Sequence, residues 1–202
     1  MQGTGTSGIK KIIKFIVIPV VIVIVLIAID QVSKLCFKNL NETRNLRANQ
    51  IDIIKNFFYI TYTENSGSAY GFLSDKSWAQ TFFKVLTAVS LVLFYFLYAY
   101  AYKKEYKLMA YSVVFITGGT VGNFIDRLIN GKVVDFMCAE FFGKRLFGIF
   151  NFADLFLTAG VIMIIIHFLF FDESALFGKK DAKKEISDKW RRRNTSRRIS
   201  ER

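Results

Sequence analysis

The stretch IIKFIVIPVVIVIVLIAI, residues 12–29, decides the fold. At about 1.5 Å per residue it covers roughly 27 Å as a helix, the thickness of a bilayer's hydrocarbon core. Lys10, Lys11 and Lys14 mark its basic start, and Asp30-Gln31-Val32-Ser33-Lys34 follows it. A cleaved signal peptide has a shorter apolar core and ends at a small-residue cleavage site, so an uncleaved helix is the expectation.

Working outward, three further apolar runs have spanning length: residues 82–102, 108–125 and 153–171. The 202-residue chain is 52% hydrophobic with 22 Phe and a single Pro, a composition for which lipid and not water is the natural solvent. The fold class expected is an all-α membrane protein with four transmembrane helices, the spans lying at about 12–29, 82–102, 108–125 and 153–171. Around this 12–171 domain stand a polar, disordered head at 1–11 and a basic tail at 172–202. Between spans one and two, NFFYITYT (56–63) is rich in aromatic and β-branched residues and reads as a strand, ending in the turn-forming run Glu64-Asn65-Ser66-Gly67-Ser68. Residues 130–150, between spans three and four, read as a loop.

Net charge is +12, and its placement says more than its size. Four spans put both termini on one side, and 17 of the 28 Lys and Arg fall there: three at the start of span one, three between spans two and three, eleven in the tail. The positive-inside tendency makes that side cytoplasmic. The tail, with Lys179, Lys180, Lys183, Lys184 and Arg191-Arg192-Arg193, then faces anionic headgroups, and it lacks the folded reading element that nucleic-acid binding requires.

Two cysteines, Cys36 and Cys138, and one histidine, His167, are too few for a zinc site of Cys and His. No metal and no cofactor is expected. Two small buried thiols are the expectation for the cysteines, with a Cys36–Cys138 disulfide as the alternative.

Carboxylates carry the functional information, because each costs roughly 2.5–3.5 kcal/mol at a bilayer centre. Asp30 ends span one, Asp126 ends span three, Asp135 lies in the following loop and Asp154 opens span four. All four fall on the outer side, which implies one site there. Residues three or four apart share a helix face, so Asn123, Asp126 and Arg127 form one polar stripe, Asn151 and Asp154 another, and Asp30 faces Lys34. Bland readings stand beside these. Asn151 and Asp154 also make an N-cap with an acidic first turn, worth about 1 kcal/mol. Asp126 with Arg127, and Asp30 with Lys34, also read as structural ion pairs.

Two carboxylates that hydrolyse a peptide bond must share a proton, one acting as base on water while the other donates to the scissile carbonyl. A fixed neighbouring cation holds a carboxylate ionised and spoils it for that work. Asp30 and Asp126 have such neighbours. Asp135 sits among Val133, Val134, Phe136 and Met137, and Asp154 between Ala153 and Leu155, so these two are the candidate pair. A serine mechanism at Ser66 or Ser68 has no base, because His167 belongs to the cytoplasmic end of span four. Ser33 and Lys34 are adjacent and point about 100° apart on a helix.

Five blocks stand in order along the four spans: Asp30-Gln31-Val32-Ser33-Lys34; Asn65-Ser66-Gly67-Ser68-Ala69-Tyr70-Gly71; Gly118-Gly119-Thr120-Val121-Gly122-Asn123-Phe124-Ile125-Asp126-Arg127; Val133-Val134-Asp135-Phe136; and Phe150-Asn151-Phe152-Ala153-Asp154. With them the chain resembles the bacterial lipoprotein signal peptidases, the signal peptidase II family of aspartic proteases, over residues 12–171. The resemblance implies Asp135 and Asp154 as catalytic dyad, with Asp30, Lys34, Asn65, Gly67, Asn123, Asp126, Arg127, Asn151 and Ala153 binding substrate or supporting the pair. It also implies a small extracytoplasmic β-rich cradle and loop over the site. The substrate it implies is a lipidated prolipoprotein, cleaved on the amino side of its diacylglyceryl-cysteine by a monomer of the bacterial inner membrane. Ser68 and Tyr70 depart from the family, which usually has a smaller residue and Phe there, and the basic tail is longer than usual.

Two other classes compete. A proton-coupled transporter would use the same carboxylates as a relay, yet only Lys14 and His167 continue such a relay towards the cytoplasm. A membrane scaffold would keep the carboxylates purely as ion pairs.

Overall fold

The computed structural model describes residues 13–67, 78–171 and 190. The head at 1–11, the tail at 172–202 apart from Trp190, and both Ser68 and Tyr70 lie outside the described residues. Contacts group the chain into two compact units, Met1–Val161 and Ile162–Arg202. The first contains everything that bears on the site. In the second, the ring of His167 stacks on Phe171 at 6.3 Å.

Among the described residues four helices are long and apolar enough to cross a membrane. A π-helical turn at Ile13–Val17 leads into α1 (Ile18–Arg44). Helix α2 is Ala79–Lys103, α3 is Lys107–Ile129 and α4 is Phe152–Phe170. Strands β1 (Ile51–Ile54), β2 (Phe58–Asn65), β3 (Val133–Phe141) and β4 (Lys144–Arg145) form an antiparallel sheet in the order β1-β2-β3-β4. The protein is thus a mostly helical membrane protein with a small sheet between its spans.

Helix α1 does not stop where the apolar run stops. Residues 30–44 contain no Gly or Pro to break it, and it continues until Asn45 turns left-handed at φ 50° and closes on the Asn41 carbonyl at 2.8 Å. Asp30 therefore lies inside a long helix and not at its end. Such a helix tolerates a carboxylate only if it is turned away from lipid, and Asp30 and Lys34 are both buried while Val32 and Leu35 between and beside them are exposed. Helix α3 likewise runs on to Ile129, which puts Asp126 in its last turn.

The expected strand at 56–63 begins two residues later and ends at Asn65. Asn56 itself takes a left-handed φ of 61° in the turn from β1. Asp135 lies on a strand and not in a loop. Residues 133–138 are buried throughout, so β3 lacks the in-out alternation that marks a half-exposed strand. The sheet seats on the upper half of α1 through Leu46, Ile60, Tyr62, Val134 and Phe136, with Phe37 stacked on Phe136 at 4.2 Å. A register shift between Ile60 and Thr63 sets the end of β2 so that Thr63 pairs with Asp135 and Asn65 with Val133.

Glycines let the helices close on one another. A Cβ on Gly119 would collide with the Ala153 carbonyl of α4, and one on Gly122 would lie 2.6 Å from Asp30 Oδ2 of α1. Both cysteines are free, Cys138 buried and Cys36 exposed, so the expectation of two buried thiols holds for one of them and no disulfide forms.

Candidate active site

Helix α4 begins with a reciprocal cap. Asn151 Oδ1 accepts from the Asp154 N–H at 3.0 Å, and Asp154 Oδ2 accepts from the Asn151 N–H at 3.1 Å. The bland reading of this pair as a helix cap is therefore correct, and the cap is also what fixes the Asp154 carboxylate at the mouth of the helix. Its other oxygen accepts from Asn123 Nδ2 at 2.8 Å.

Asn151 ties the second carboxylate to the first. Its side-chain Nδ2 donates to Asp135 Oδ1 at 2.6 Å, and it also lies within 3.1 Å of Asn123 Oδ1 and 3.2 Å of the Val134 carbonyl. Asp135 Oδ2 accepts from Asn65 Nδ2 at 3.3 Å. Asn65 in turn accepts the Gly67 N–H at 2.9 Å, which shapes the exit from β2. Asp135 is 97% shielded from solvent. Burial, and after it the negative charge of Asp154, push its carboxyl up to about 7, while the bonds from Asn65 and Asn151 and the charge of Lys34 pull it down.

Beneath the pair lies an ionic layer. Lys34 Nζ contacts Asp30 Oδ2 at 2.8 Å, Asp126 Oδ2 at 3.0 Å and Asn123 Oδ1 at 2.9 Å. The pair expected between Asp30 and Lys34 is present. The pair expected between Asp126 and Arg127 is not: Asp126 takes its cation from α1, 92 positions away, because Arg127 points off to another partner set. The Arg127 guanidinium donates to the Asn123 and Gly67 carbonyls, each at 3.3 Å, and lies over the Phe83 ring at 5.2 Å. Asp30 Oδ1 accepts the Ala153 N–H at 2.9 Å and Asp126 Oδ2 accepts the Val134 N–H at 3.2 Å, so the layer grips both chain segments that carry the upper carboxylates. All eleven residues singled out from the sequence thus meet in one network.

Gln31 was not singled out as a site residue, yet its Nε2 lies 3.1 Å from Asp30 Oδ2, 3.0 Å from the Gly122 carbonyl and 3.1 Å from Asp126 Oδ1. Its place beside Asp30, within the first of the five blocks, was the available signal. The backbone of Val134 and the missing side chain of Gly122 carry no side-chain signal at all. Gln80 also reaches across from α2 to the Ser66 carbonyl.

Asp135 and Asp154 line one cavity of about 640 Å³ together with the polar Asn65 and Arg127 and the apolar Phe147 and Leu155. Two carboxyls lining one cavity, one of them titrating near neutrality and neither paired to a cation among the described residues, suit general acid–base work on a bound water.

Comparison with known proteins adds to this geometry. The family model described as signal peptidase (SPase) II matches residues 22–170. A lipoprotein signal peptidase of Staphylococcus haemolyticus (strain JCSC1435) is 40% identical over 156 residues, 77% of this chain and 92% of that protein. Two solved structures of bacterial membrane enzymes, determined by the in meso method at 2.3 and 1.9 Å resolution, are also similar. The first has a TM-score of 0.64 at 33% identity and covers 81% of this chain and 94% of its own. The second has a TM-score of 0.62 at 32% identity and covers 78% and 96%.

Proposed function

The chain belongs to the signal peptidase II family, and from that premise and the site's geometry we propose that it is an aspartyl endopeptidase using Asp135 and Asp154, with no metal, to cleave lipidated prolipoproteins on the amino side of the diacylglyceryl-cysteine. Family membership supports a membrane protease that removes signal peptides from prolipoproteins. The observation that carries the aspartyl reading is that two carboxyls without ion-pair partners among the described residues share one cavity, linked through Asn151.

In this reading a water lies between the carboxyls. Asp154, whose oxygens accept bonds from Asn123 and Asn151, takes a proton from the water as its oxygen attacks the scissile carbonyl carbon. Asp135, held protonated near neutral pH, gives its proton to the carbonyl oxygen. Collapse of the tetrahedral adduct returns the proton through the pair to the leaving amine. The ionic layer of Asp30, Lys34 and Asp126 positions the backbones of Ala153 and Val134, and so both carboxyls.

Lipid delivers the substrate. Acyl chains partition into the bilayer and carry the attached peptide to the depth of the helix ends, where Phe147 and Leu155 in the cavity lining suit apolar groups. The site then faces the extracytoplasmic side, both termini are cytoplasmic, residues 12–171 form the peptidase domain of a monomer, and the basic tail lies along anionic headgroups.

The test is cleavage of a purified precursor by purified protein in detergent. A precursor carrying diacylglyceryl-cysteine is processed, its unlipidated form is not, and a chelator leaves the rate unchanged. Equal processing of both forms, or loss of activity with the chelator that metal restores, overturns the reading.

A further inference from the structure

A second cavity, of about 710 Å³, opens at the opposite ends of the helices. It lies between the start of α1, the end of α2 and the start of α3. Lys107 is 16 residues before Asn123 on α3, which at about 1.5 Å per residue sets it roughly 24 Å from the carboxylate network. It is a different site.

Lys14, Lys103 and Lys107 line this cavity, against a single acid, Glu105. Among the described residues no carboxylate lies within ion-pair distance of any of the three lysines. The tyrosine wall is built. Tyr98 donates its hydroxyl to the Phe15 carbonyl at 2.9 Å, within the π-helical turn that carries Lys14. The Phe15 ring packs on Tyr98 at 5.4 Å and on Tyr102 at 4.4 Å. Lys14, carried by this first described turn of the helix, lines the cavity. The α2–α3 connection is equally fixed: Glu105 takes a left-handed φ of 59°, and the Tyr106 N–H closes on the Ala101 carbonyl at 2.9 Å.

We propose that this cavity binds the phosphate-bearing headgroup of an anionic lipid from the leaflet on that side, held by Lys14, Lys103 and Lys107. Three ammonium groups against one carboxylate leave an excess of two positive charges, half of which the single negative charge of a phosphodiester offsets. Tyrosine rings with an apolar body and a polar tip suit the depth at which a headgroup meets its acyl chains. Exposed Ile13 and Val17 beside Lys14 offer those chains an apolar surface. A volume of several hundred Å³ is that of a small-molecule site, larger than snorkelling lysines need.

The test is native mass spectrometry and lipid analysis of the full chain, purified from vesicles of phosphatidylcholine with one-tenth phosphatidylglycerol. The wild type retains phosphatidylglycerol, and the variant carrying Lys14→Gln, Lys103→Gln and Lys107→Gln loses it by roughly 10- to 100-fold, the scale expected for removing three cations from an anionic headgroup. The matching Lys→Arg variant retains it, which separates lost charge from a lost fold. A control with Lys179→Gln, Lys180→Gln and Lys183→Gln, equal in charge change but in the tail, also retains it. Equal loss in both Gln variants makes the effect diffuse charge and overturns the proposal. So does displacement of the lipid by millimolar inorganic phosphate or glycerol phosphate, which would make the ligand a soluble phosphate. Precursor cleavage in detergent is unchanged in all these variants, so failure here leaves the protease reading standing on its own test.

Discussion

Replacing Asp135 with Asn should make the protein more stable above neutral pH. The Asp135 carboxyl is buried beside the charge of Asp154 and is pushed up to about 7 from an ordinary 3.8. Between those two pH values the unfolded chain has released the proton while the folded chain still holds it. Stability therefore falls as pH rises through that window and levels off above about 7. At 1.36 kcal/mol per pH unit the whole drop is about 4 kcal/mol. Asn carries no charge to bury, but its single carbonyl oxygen accepts from only one of Asn65 and Asn151, a loss of about 1 kcal/mol. The variant should be about as stable as the wild type at pH 4.5 and more stable by about 3 kcal/mol at pH 8, which is roughly 10 °C in melting midpoint for a chain of this size. The assay is thermal unfolding in detergent micelles, read by a thiol-reactive dye at buried Cys138, with exposed Cys36 replaced by Ser in both proteins. The two midpoint profiles should nearly coincide at pH 4.5 and separate as pH rises to 8. Parallel profiles from pH 4.5 to 8 would refute the reasoning, because Asp135 would then titrate in the folded protein as it does in the unfolded one.

Three further outcomes follow from the same network. Lys34→Met strands two buried carboxylates and should cost about 3–5 kcal/mol, with part of it recovered in Lys34→Met/Asp126→Asn; thermal midpoints of both variants check this. Gly122→Ala would put a methyl 2.6 Å from Asp30 Oδ2 and 3.2 Å from the Ala153 Cβ; it should lower stability by about 1–3 kcal/mol and reduce cleavage together, and an unchanged midpoint contradicts the packing described. The rate of precursor cleavage should fall as pH rises past about 7, where Asp135 loses its proton. Asn65→Ala removes a bond that holds the Asp135 carboxyl down, so that falling limb should move to higher pH; a limb that stays in place or moves down argues against Asp135 as the proton donor.

What the sequence made legible was local. Spacing of three or four residues placed Asp30 with Lys34 and Asn151 with Asp154 on shared faces, and both pairs are in contact. The absence of a cation beside Asp135 and Asp154 separated them from Asp30 and Asp126, and the structure keeps that separation. Partnerships made across the chain were not legible. Arg127 is next to Asp126 in sequence, yet Lys34, delivered by a different helix, takes that carboxylate. Hydropathy marked where the apolar run ends at Ile29, but helix propensity carries α1 on to Arg44, and nothing in an apolar run reports that difference. Strand β3 escaped notice because burial on both faces removes the alternation by which a strand is recognised. The shifted register that brings Asn65 within reach of Asp135 arises from the pairing of β2 with β3 and has no mark in either segment alone.

The central claim is that the carboxyls of Asp135 and Asp154 together perform the hydrolysis. Its most direct test is the single-turnover rate of cleavage of a lipidated precursor by Asp135→Asn and by Asp154→Asn, each first shown to keep the wild-type helical content. Each substitution should slow cleavage by at least about 10²- to 10⁴-fold. A rate equal to wild type in either folded variant would remove that carboxyl from the reaction and contradict the account.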